Sequence, residues 1–125
     1  MTSINYDATD EFGKYVVEHV RDKMVKEIAD SLDGKGMHYV SPPPFDNEAQ
    51  REYAYRLAVW AVASTLGEFF FMLDDYSDKF QLLMNYYGEK IDLVEASDDL
   101  TGDLLSEYGW IARFSQYIVD KECRF

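Results

Sequence analysis

The stretch LAVWAVASTLGEFFFML, residues 57–73, decides the fold because Glu68 is its only charged residue. A helix that is apolar around its whole circumference must be buried. The run is slightly short for a bilayer span and is followed by acids rather than bases, so we predict the central core helix of a soluble domain. A buried carboxylate has to be paired, hydrogen-bonded or protonated, which makes Glu68 a candidate site residue. Alternatively, Gly67 and Glu68 mark a turn that reaches the surface, or Glu68 pairs with Arg113.

The chain before this helix predicts a second long helix and a stiff connector. Asp46 or Asn47 is expected to cap the core helix. Residues 33–46, DGKGMHYVSPPPFD, contain two glycines and three consecutive prolines, which predict a loop rather than a ligand for an aromatic groove. In residues 7–32 apolar side chains recur every four positions, which predicts one amphipathic helix, capped at Asp7 or Thr9, whose charges solvate its outer face. The stripe consists of Phe12, Val16, Val20, Met24 and Ile28.

Beyond residue 78 the hydrophobic period changes from that of a helix to the alternation of strands. We predict a β-hairpin within residues 80–94, with Gly88 and Glu89 as a type II′ turn, so that Met84 faces Leu93. A lone hairpin leaves two open edges, so we expect it to lie on a helical layer. A homodimer through the hairpin edge is a further expectation.

Residues 97–117, SDDLTGDLLSEYGWIARFSQY, predict a turn followed by a last helix that is capped at Ser106. Two short acidic side chains start the turn. Trp110 is expected in or beside the core, where Arg113 can stack on it and hold a nearby carboxylate with two parallel hydrogen bonds. The alternative to a binding site is a packed corner of the fold. The candidate binding residues of this segment are Asp98, Asp99, Tyr108, Trp110 and Arg113.

The same segment, together with the hairpin before it, carries a resemblance. The last third of the chain resembles the C-terminal half of a family of small uncharacterised bacterial domains, whose tail reads Ser-Asp-x-Leu, then Gly-x-Leu, then Gly-Trp-Ile-x-Arg-Phe-Ser. Asp99 stands where that family commonly has glycine. The resemblance implies fold and kinship and supplies no chemistry. The matching positions are Ser97, Asp98, Leu100, Gly102, Leu104, Gly109, Trp110, Ile111, Arg113, Phe114 and Ser115.

The charge balance indicates the sign of the charge that a partner would carry. The chain has 24 acids against 12 bases, which gives a net charge of -12. Eleven of the acids lie between residues 66 and 112, where only Lys79 and Lys90 oppose them. Such a surface repels nucleic acid and anionic membranes and attracts a basic protein, as immunity proteins and antitoxins do when they cover a cationic toxin. The alternative is that the acidity only keeps a small domain soluble.

The familiar catalytic motifs are absent. The sequence has no Gly-rich phosphate loop, no Gly-x-Ser-x-Gly, no His-Glu-x-x-His and no Cys-x-x-Cys. His19 and His38 have no serine or cysteine at a spacing that indicates a nucleophile and its base. We therefore predict no catalytic residue, no cofactor and no metal site. Because Cys123 is the only cysteine and the first residues do not form a signal peptide, we expect a cytoplasmic location.

These observations predict one domain over residues 1–125, with a helix-dominated α+β fold in which two long helices and a C-terminal helix pack with one antiparallel β-hairpin. The predicted function is a non-enzymatic binding or regulatory module that contacts a basic protein. Trp110 would anchor that contact, and Arg113 would organise the Asp98–Asp99 turn. The alternative is a small hydrolase or ligand-binding domain with a pocket around Trp110, Arg113, Asp98 and Glu68.

Overall fold

The computed structural model describes residues 3–35 and 45–117. Its elements confirm a helix-dominated α+β fold with one antiparallel β-hairpin. Most of the predicted proline-rich connector, with His38, lies outside the described residues, as does Cys123. In chain order the elements are α1 (Ser3–Val16), a π-helical turn (Val17–Arg21), α2 (Asp22–Leu32), α3 (Glu48–Asp75), β1 (Leu83–Tyr86), β2 (Glu89–Asp92), α4 (Leu93–Ala96), α5 (Leu100–Leu105) and α6 (Trp110–Phe114).

The first predicted helix is continuous but changes pitch in its middle. The Asp22 N–H donates to the Val17 carbonyl, five residues earlier, instead of the four of an α-helix. The extra residue rotates the buried face, so Arg21 is buried whereas Val20 and Met24 are exposed. The predicted apolar stripe is therefore wrong at Val20 and Met24 but not at Ile28, which is half-buried.

The predicted N-terminal caps of this helix are also wrong. Asp7 and Thr9 both lie inside α1. The Thr9 hydroxyl donates to the Tyr6 carbonyl at 3.0 Å, three residues earlier, which is a bond made within a helix rather than at its start.

The long helix α3 is confirmed, and its cap is Asn47, whose side chain accepts from the Gln50 N–H at 3.0 Å. Its burial differs from the prediction, because the other helices cover only one of its faces. The opposite face is exposed and Glu68 lies on it, so the interpretation that this turn reaches the surface is confirmed for Glu68, whereas Gly67 is buried. The buried face consists of Val59, Ala63, Gly67, Phe70 and Leu73.

The hairpin is confirmed with a different turn and register. The two turn residues are Tyr87 and Gly88, with φ of 48° and 85°, the pattern of a type I′ turn rather than the predicted type II′ turn at Gly88-Glu89. Met84 therefore pairs with Ile91 instead of Leu93. The register is shifted by two residues from the predicted one. Because strand side chains alternate with a period of two, Met84 and Ile91 remain on the strand face that points toward the helices.

The second strand is shorter than predicted. It ends at Asp92, whose carboxylate accepts from the Val94 N–H at 3.1 Å and caps α4. A cap of this kind begins a helical turn and stops strand pairing. Leu93 and Val94 are consequently core residues of a helix rather than of a strand.

Replacing Tyr87 by asparagine is expected to raise the free energy of unfolding by about 1 kcal/mol. Tyr87 is the non-glycine residue with positive φ among those described, and asparagine adopts that conformation at lower cost than tyrosine. Urea denaturation measures the change. Tyr108→Asn is the matched control, since that tyrosine is similarly exposed and has no positive φ. Equal effects of the two substitutions would contradict the assignment of strain to the turn.

Within residues 97–117, α5 occupies part of the predicted turn and the short helix α6 replaces the predicted helix from Ser106, whose residues beyond 117 lie outside the described part of the chain. The chain leaves α5 at Leu105 and starts α6 only at Trp110. Gly109 makes this bend compact, because a Cβ at that position would lie 2.4 Å from the Asp103 carbonyl oxygen. The packing of two helix ends against each other is a long-range constraint that helical periodicity does not reveal.

Two groups of buried side chains form the core. The larger lies between α1, α3, α5 and α6, around Trp110, which is 1% exposed. Phe12 and Phe70 pack edge-on against its ring, with centroids at 5.8 and 6.1 Å. The smaller group lies under the hairpin and contains Ile91 and Leu93. The prediction that Trp110 belongs to the core is confirmed.

Candidate functional site

Arg113 links α6 to α1. Its Nη1 and Nη2 donate to the Asp10 carboxylate at 3.0 and 2.7 Å, in the parallel two-bond geometry that arginine favours. Its Nε donates to the Tyr108 carbonyl at 2.9 Å. The predicted two-bond contact with a carboxylate is therefore made with Asp10, and the prediction that Arg113 organises the Asp98–Asp99 turn is wrong, because the guanidinium faces α1.

This ion pair shifts the titration of both groups. The hydrogen bonds from Arg113 hold the pKa of Asp10 below its usual value, and its positive charge and the Trp110 side chain act in the same direction. The hydrogen bond to Asp10 raises the pKa of Arg113. Both side chains are more than 40% exposed, so we assign the pair a positioning role rather than a large share of stability.

The segment between α4 and α5 is organised by its own side chains. The Ser97 hydroxyl donates to the Asp103 carboxylate and accepts from the Asp99 N–H at 3.1 Å. Asp99 caps α5 by accepting from the Gly102 N–H at 3.0 Å. The predicted turn at this position is therefore an N-cap structure, which leaves Asp98 exposed beside it.

Burial and mutual repulsion act on the carboxylates around this segment. Desolvation raises the pKa of Asp103, and the hydrogen bond from Ser97 lowers it. The negative charges of Asp99 and Asp10 raise it further. Desolvation likewise raises the pKa of Asp74, which accepts from the Leu100 N–H at 3.1 Å and also feels Asp99 and Asp103. We use the name acidic corner for Asp10, Asp74, Asp98, Asp99 and Asp103.

Replacing Asp103 by asparagine is expected to raise the thermal unfolding temperature at neutral pH. A carboxyl pKa that is raised in the folded state stabilises the protein below the unfolded value of 3.8, and this contribution is lost as the pH rises through the folded pKa. An amide oxygen still accepts from Ser97, so the substitution removes mainly the charge. Thermal melts from pH 3 to 7 should show a smaller loss of stability with rising pH in Asp103→Asn than in the wild type. An unchanged profile would contradict the repulsion.

Two depressions flank the Asp10–Arg113 pair. One, of about 250 Å³, is lined by Ser97, Asp98 and Asp103 as well as by the pair. The other, of about 520 Å³, runs along α1 and is lined by Tyr15 and His19, whose rings stack at 5.4 Å. No group of three or more His, Cys, Asp and Glu side chains within the described ranges is arranged to hold a metal ion.

The structure brings together only some of the predicted site residues. Asp98 and Arg113 line the same depression, and Tyr108 lies beside Arg113 with 80% of its surface exposed. Trp110 is buried, so the prediction that it anchors a contact surface is wrong. The predicted stacking of Arg113 on Trp110 is also wrong. The Arg113 guanidinium lies over the Phe114 ring instead, 4.8 Å from its centroid. Glu68 is on the outer face of α3 and lines neither depression.

Sequence analysis missed two features of this region. Asp10, the partner of Arg113, is 103 residues away in the chain. The second feature is the buried pair of Arg21 and Asp22, joined at 2.8 Å. A signal for Arg21 was present, because it lies four residues from both Val17 and Val25 in the apolar part of the first helix. The Asp10 contact left no comparable signal in the sequence.

Comparisons of the chain with protein-family models, with curated proteins and with solved structures give no match.

Proposed function

We propose that this protein is a non-enzymatic binding or regulatory module, of the immunity-protein or antitoxin kind, and that the acidic corner is its contact surface for a basic protein. The observation that carries the proposal is the uncompensated charge of the corner. Five carboxylates from α1, α3, α5 and the segment before α5 lie together, and Arg113, the arginine among them, is already bonded to Asp10. Clustered carboxylates of this kind attract a cationic surface.

Two further features support a contact surface at this corner. Asp98 and Asp99 are exposed, so a basic side chain can reach them without rearrangement of the fold. Tyr108 is an exposed aromatic residue close to Arg113, and tyrosine and arginine are enriched among residues that dominate binding energy. Tyr108 takes the anchoring role that was predicted for Trp110.

An enzymatic function has less support. The alternative predicted from sequence, a hydrolase or ligand-binding pocket, required Glu68 and Trp110 beside Arg113 and Asp98. In the structure Glu68 lies on the outer face of α3, and Trp110 is buried. His19 stacks on Tyr15 and is part of the larger depression, which no serine, threonine or cysteine of the described ranges lines. The proposal therefore includes no catalytic residue and no cofactor.

The remaining parts of the proposal follow from charge and composition. The net charge of -12 disfavours nucleic acid and anionic membranes as partners, and a cytoplasmic location agrees with a lone cysteine. Among the residues that the structure describes, one helix, α3, is long and apolar enough to cross a membrane, but the core helix of a soluble domain meets the same criterion. Kinship with the family of small bacterial domains stays a prediction.

A defined cationic probe tests whether the corner itself binds. Calorimetric titration with a lysine octapeptide is expected to give an association constant about tenfold lower for Asp98→Asn/Asp99→Asn than for the wild type. Asparagine retains the helix cap of Asp99, so the fold should persist. Asp78→Asn/Glu89→Gln is the matched control, because it removes the same charge at exposed positions outside the corner. Equal weakening by both variants, or no binding by the wild type, would contradict the proposal.

A further inference from the structure

We propose that a second copy of this chain covers the exposed face of α3, with the two α3 helices antiparallel about Ser64. The large apolar side chains on this face are about half exposed, with values of 52% for Leu57, 49% for Trp60 and 53% for Phe71. They belong to a stripe in which neighbours are three or four residues apart, the spacing of a helix-packing seam. This stripe, which we call the outer stripe, consists of Tyr53, Leu57, Trp60, Ser64, Glu68 and Phe71.

The exposed area is what a small dimer needs. Side chains of this size bury about 150–250 Å² each, so half exposure leaves about 100 Å² on each one. Together with Tyr53, which is 71% exposed, the three residues above leave about 450 Å² of apolar surface on one copy, or about 900 Å² on two. This total is close to the roughly 1,000 Å² at which specific interfaces begin, and the largest apolar patch of a monomer, about 300–600 Å², is often functional.

The order of residues in the outer stripe favours a second copy over an unrelated partner. Leu57 and Phe71 are each seven residues from Ser64, on opposite sides, and Trp60 and Glu68 are each four residues from it. A two-fold axis at Ser64 would therefore place Leu57 against Phe71 of the other copy, twice. It would also place each Trp60 near a Glu68 carboxylate, which can accept from the indole N–H. This contact would satisfy the one charge that the interface buries.

Charge determines the orientation. Residues 48–65 contain two acids and two arginines, whereas residues 66–75 contain three acids and no base. A parallel pair would place the acidic ends side by side, and an antiparallel pair separates them. The outer stripe carries one carboxylate, Glu68, so it offers little charge to a basic protein. The stripe and the acidic corner therefore require different partners. The inference is accordingly independent of the proposed function.

Sedimentation equilibrium of the full chain at micromolar concentrations tests the assembly. The wild type is expected at twice the chain mass, and Leu57→Lys and Phe71→Lys at the single-chain mass with unchanged circular dichroism. Tyr87→Lys is the matched control, since it makes the same charge change at an exposed aromatic residue of the hairpin, and it should remain dimeric. A monomeric wild type would overturn the proposal. Dimers that survive both α3 substitutions would also overturn it and would favour the hairpin edge.

Cross-linking tests the geometry. In a Cys123→Ser background, Ser64→Cys is expected to form an intermolecular disulfide readily. Tyr53→Cys should not cross-link to itself but should cross-link to Asp75→Cys, because these positions are equidistant from Ser64. Self-cross-linking of Tyr53→Cys would indicate parallel helices and overturn the antiparallel arrangement. Flotation of a monomeric wild type with phosphatidylcholine vesicles would overturn the proposal in favour of a membrane surface.

Discussion

Replacing Gly13 by alanine is expected to lower the free energy of unfolding by about 3 kcal/mol, although alanine is the better helix former. A Cβ at this position would lie 2.2–2.4 Å from three atoms of the Trp110 ring. Phe12 and Phe70 hold the ring edge-on from other sides, so it cannot move away without disturbing the core. Chemical denaturation followed by circular dichroism measures the loss.

The chain provides a matched control for this substitution. Gly67 also lies in a helix, but its added Cβ would meet the end of the Leu105 side chain at 3.1 Å, and that side chain can adjust. Gly67→Ala is therefore expected to change stability by less than about 1 kcal/mol, because the gain in helix propensity offsets the contact. Gly13→Ala should also lower the free energy of unfolding by a smaller amount in a Trp110→Leu background than in the wild type. Similar losses for the two glycine substitutions would contradict the account of the core.

Replacing Asp22 by alanine is expected to destabilise the fold by about 3 to 5 kcal/mol, because it leaves a buried guanidinium without its counterion. The Asp22 carboxylate accepts from Arg21 Nη1 at 2.8 Å, from the Ser115 hydroxyl at 2.7 Å and from the Gln116 N–H at 2.9 Å. Arg21 is fully buried, and its Nε and Nη2 have no hydrogen-bond partner within the part of the chain that the structure describes. Urea denaturation measures the effect.

Two variants separate this effect from a general loss of charge. Asp30→Ala removes an exposed partner of Lys26, joined at 2.9 Å, and is expected to cost less than about 0.5 kcal/mol. The double variant Arg21→Met/Asp22→Asn should cost less than Asp22→Ala, because no unpaired charge remains inside. If Asp22→Ala costs no more than Asp30→Ala, the buried network does not stabilise the fold as described.

Much of the fold could be predicted from local patterns. The cap at Asn47, the hairpin and the burial of Trp110 all follow from residue type and period. The burial of α3 on all sides was wrong, since an apolar run shows that a helix can be buried but not how many neighbours it has. The hairpin register was also wrong, because two turn types compete within Tyr87, Gly88 and Glu89, and only φ distinguishes them.

The candidate site was less predictable than the fold. Sequence analysis selected Asp98, Asp99, Tyr108 and Arg113, which the structure places near one another, from turn and charge patterns alone. It could not supply Asp10, because an ion pair between α1 and α6 depends on the packing of distant helices. The π-helical turn was equally invisible, since one inserted residue changes the buried face without changing the composition of the helix.

The most direct test of the central claim is a pull-down from native cell lysate with three folded forms of the protein. The wild type and Asp78→Asn/Glu89→Gln are predicted to retain the same basic protein, and Asp98→Asn/Asp99→Asn is predicted to lose it. Retention by the wild type should weaken as salt is added, because the contact is electrostatic. Equal retention of that protein by all three forms, or retention of no basic protein by the wild type, would contradict the claim that the acidic corner is a binding surface.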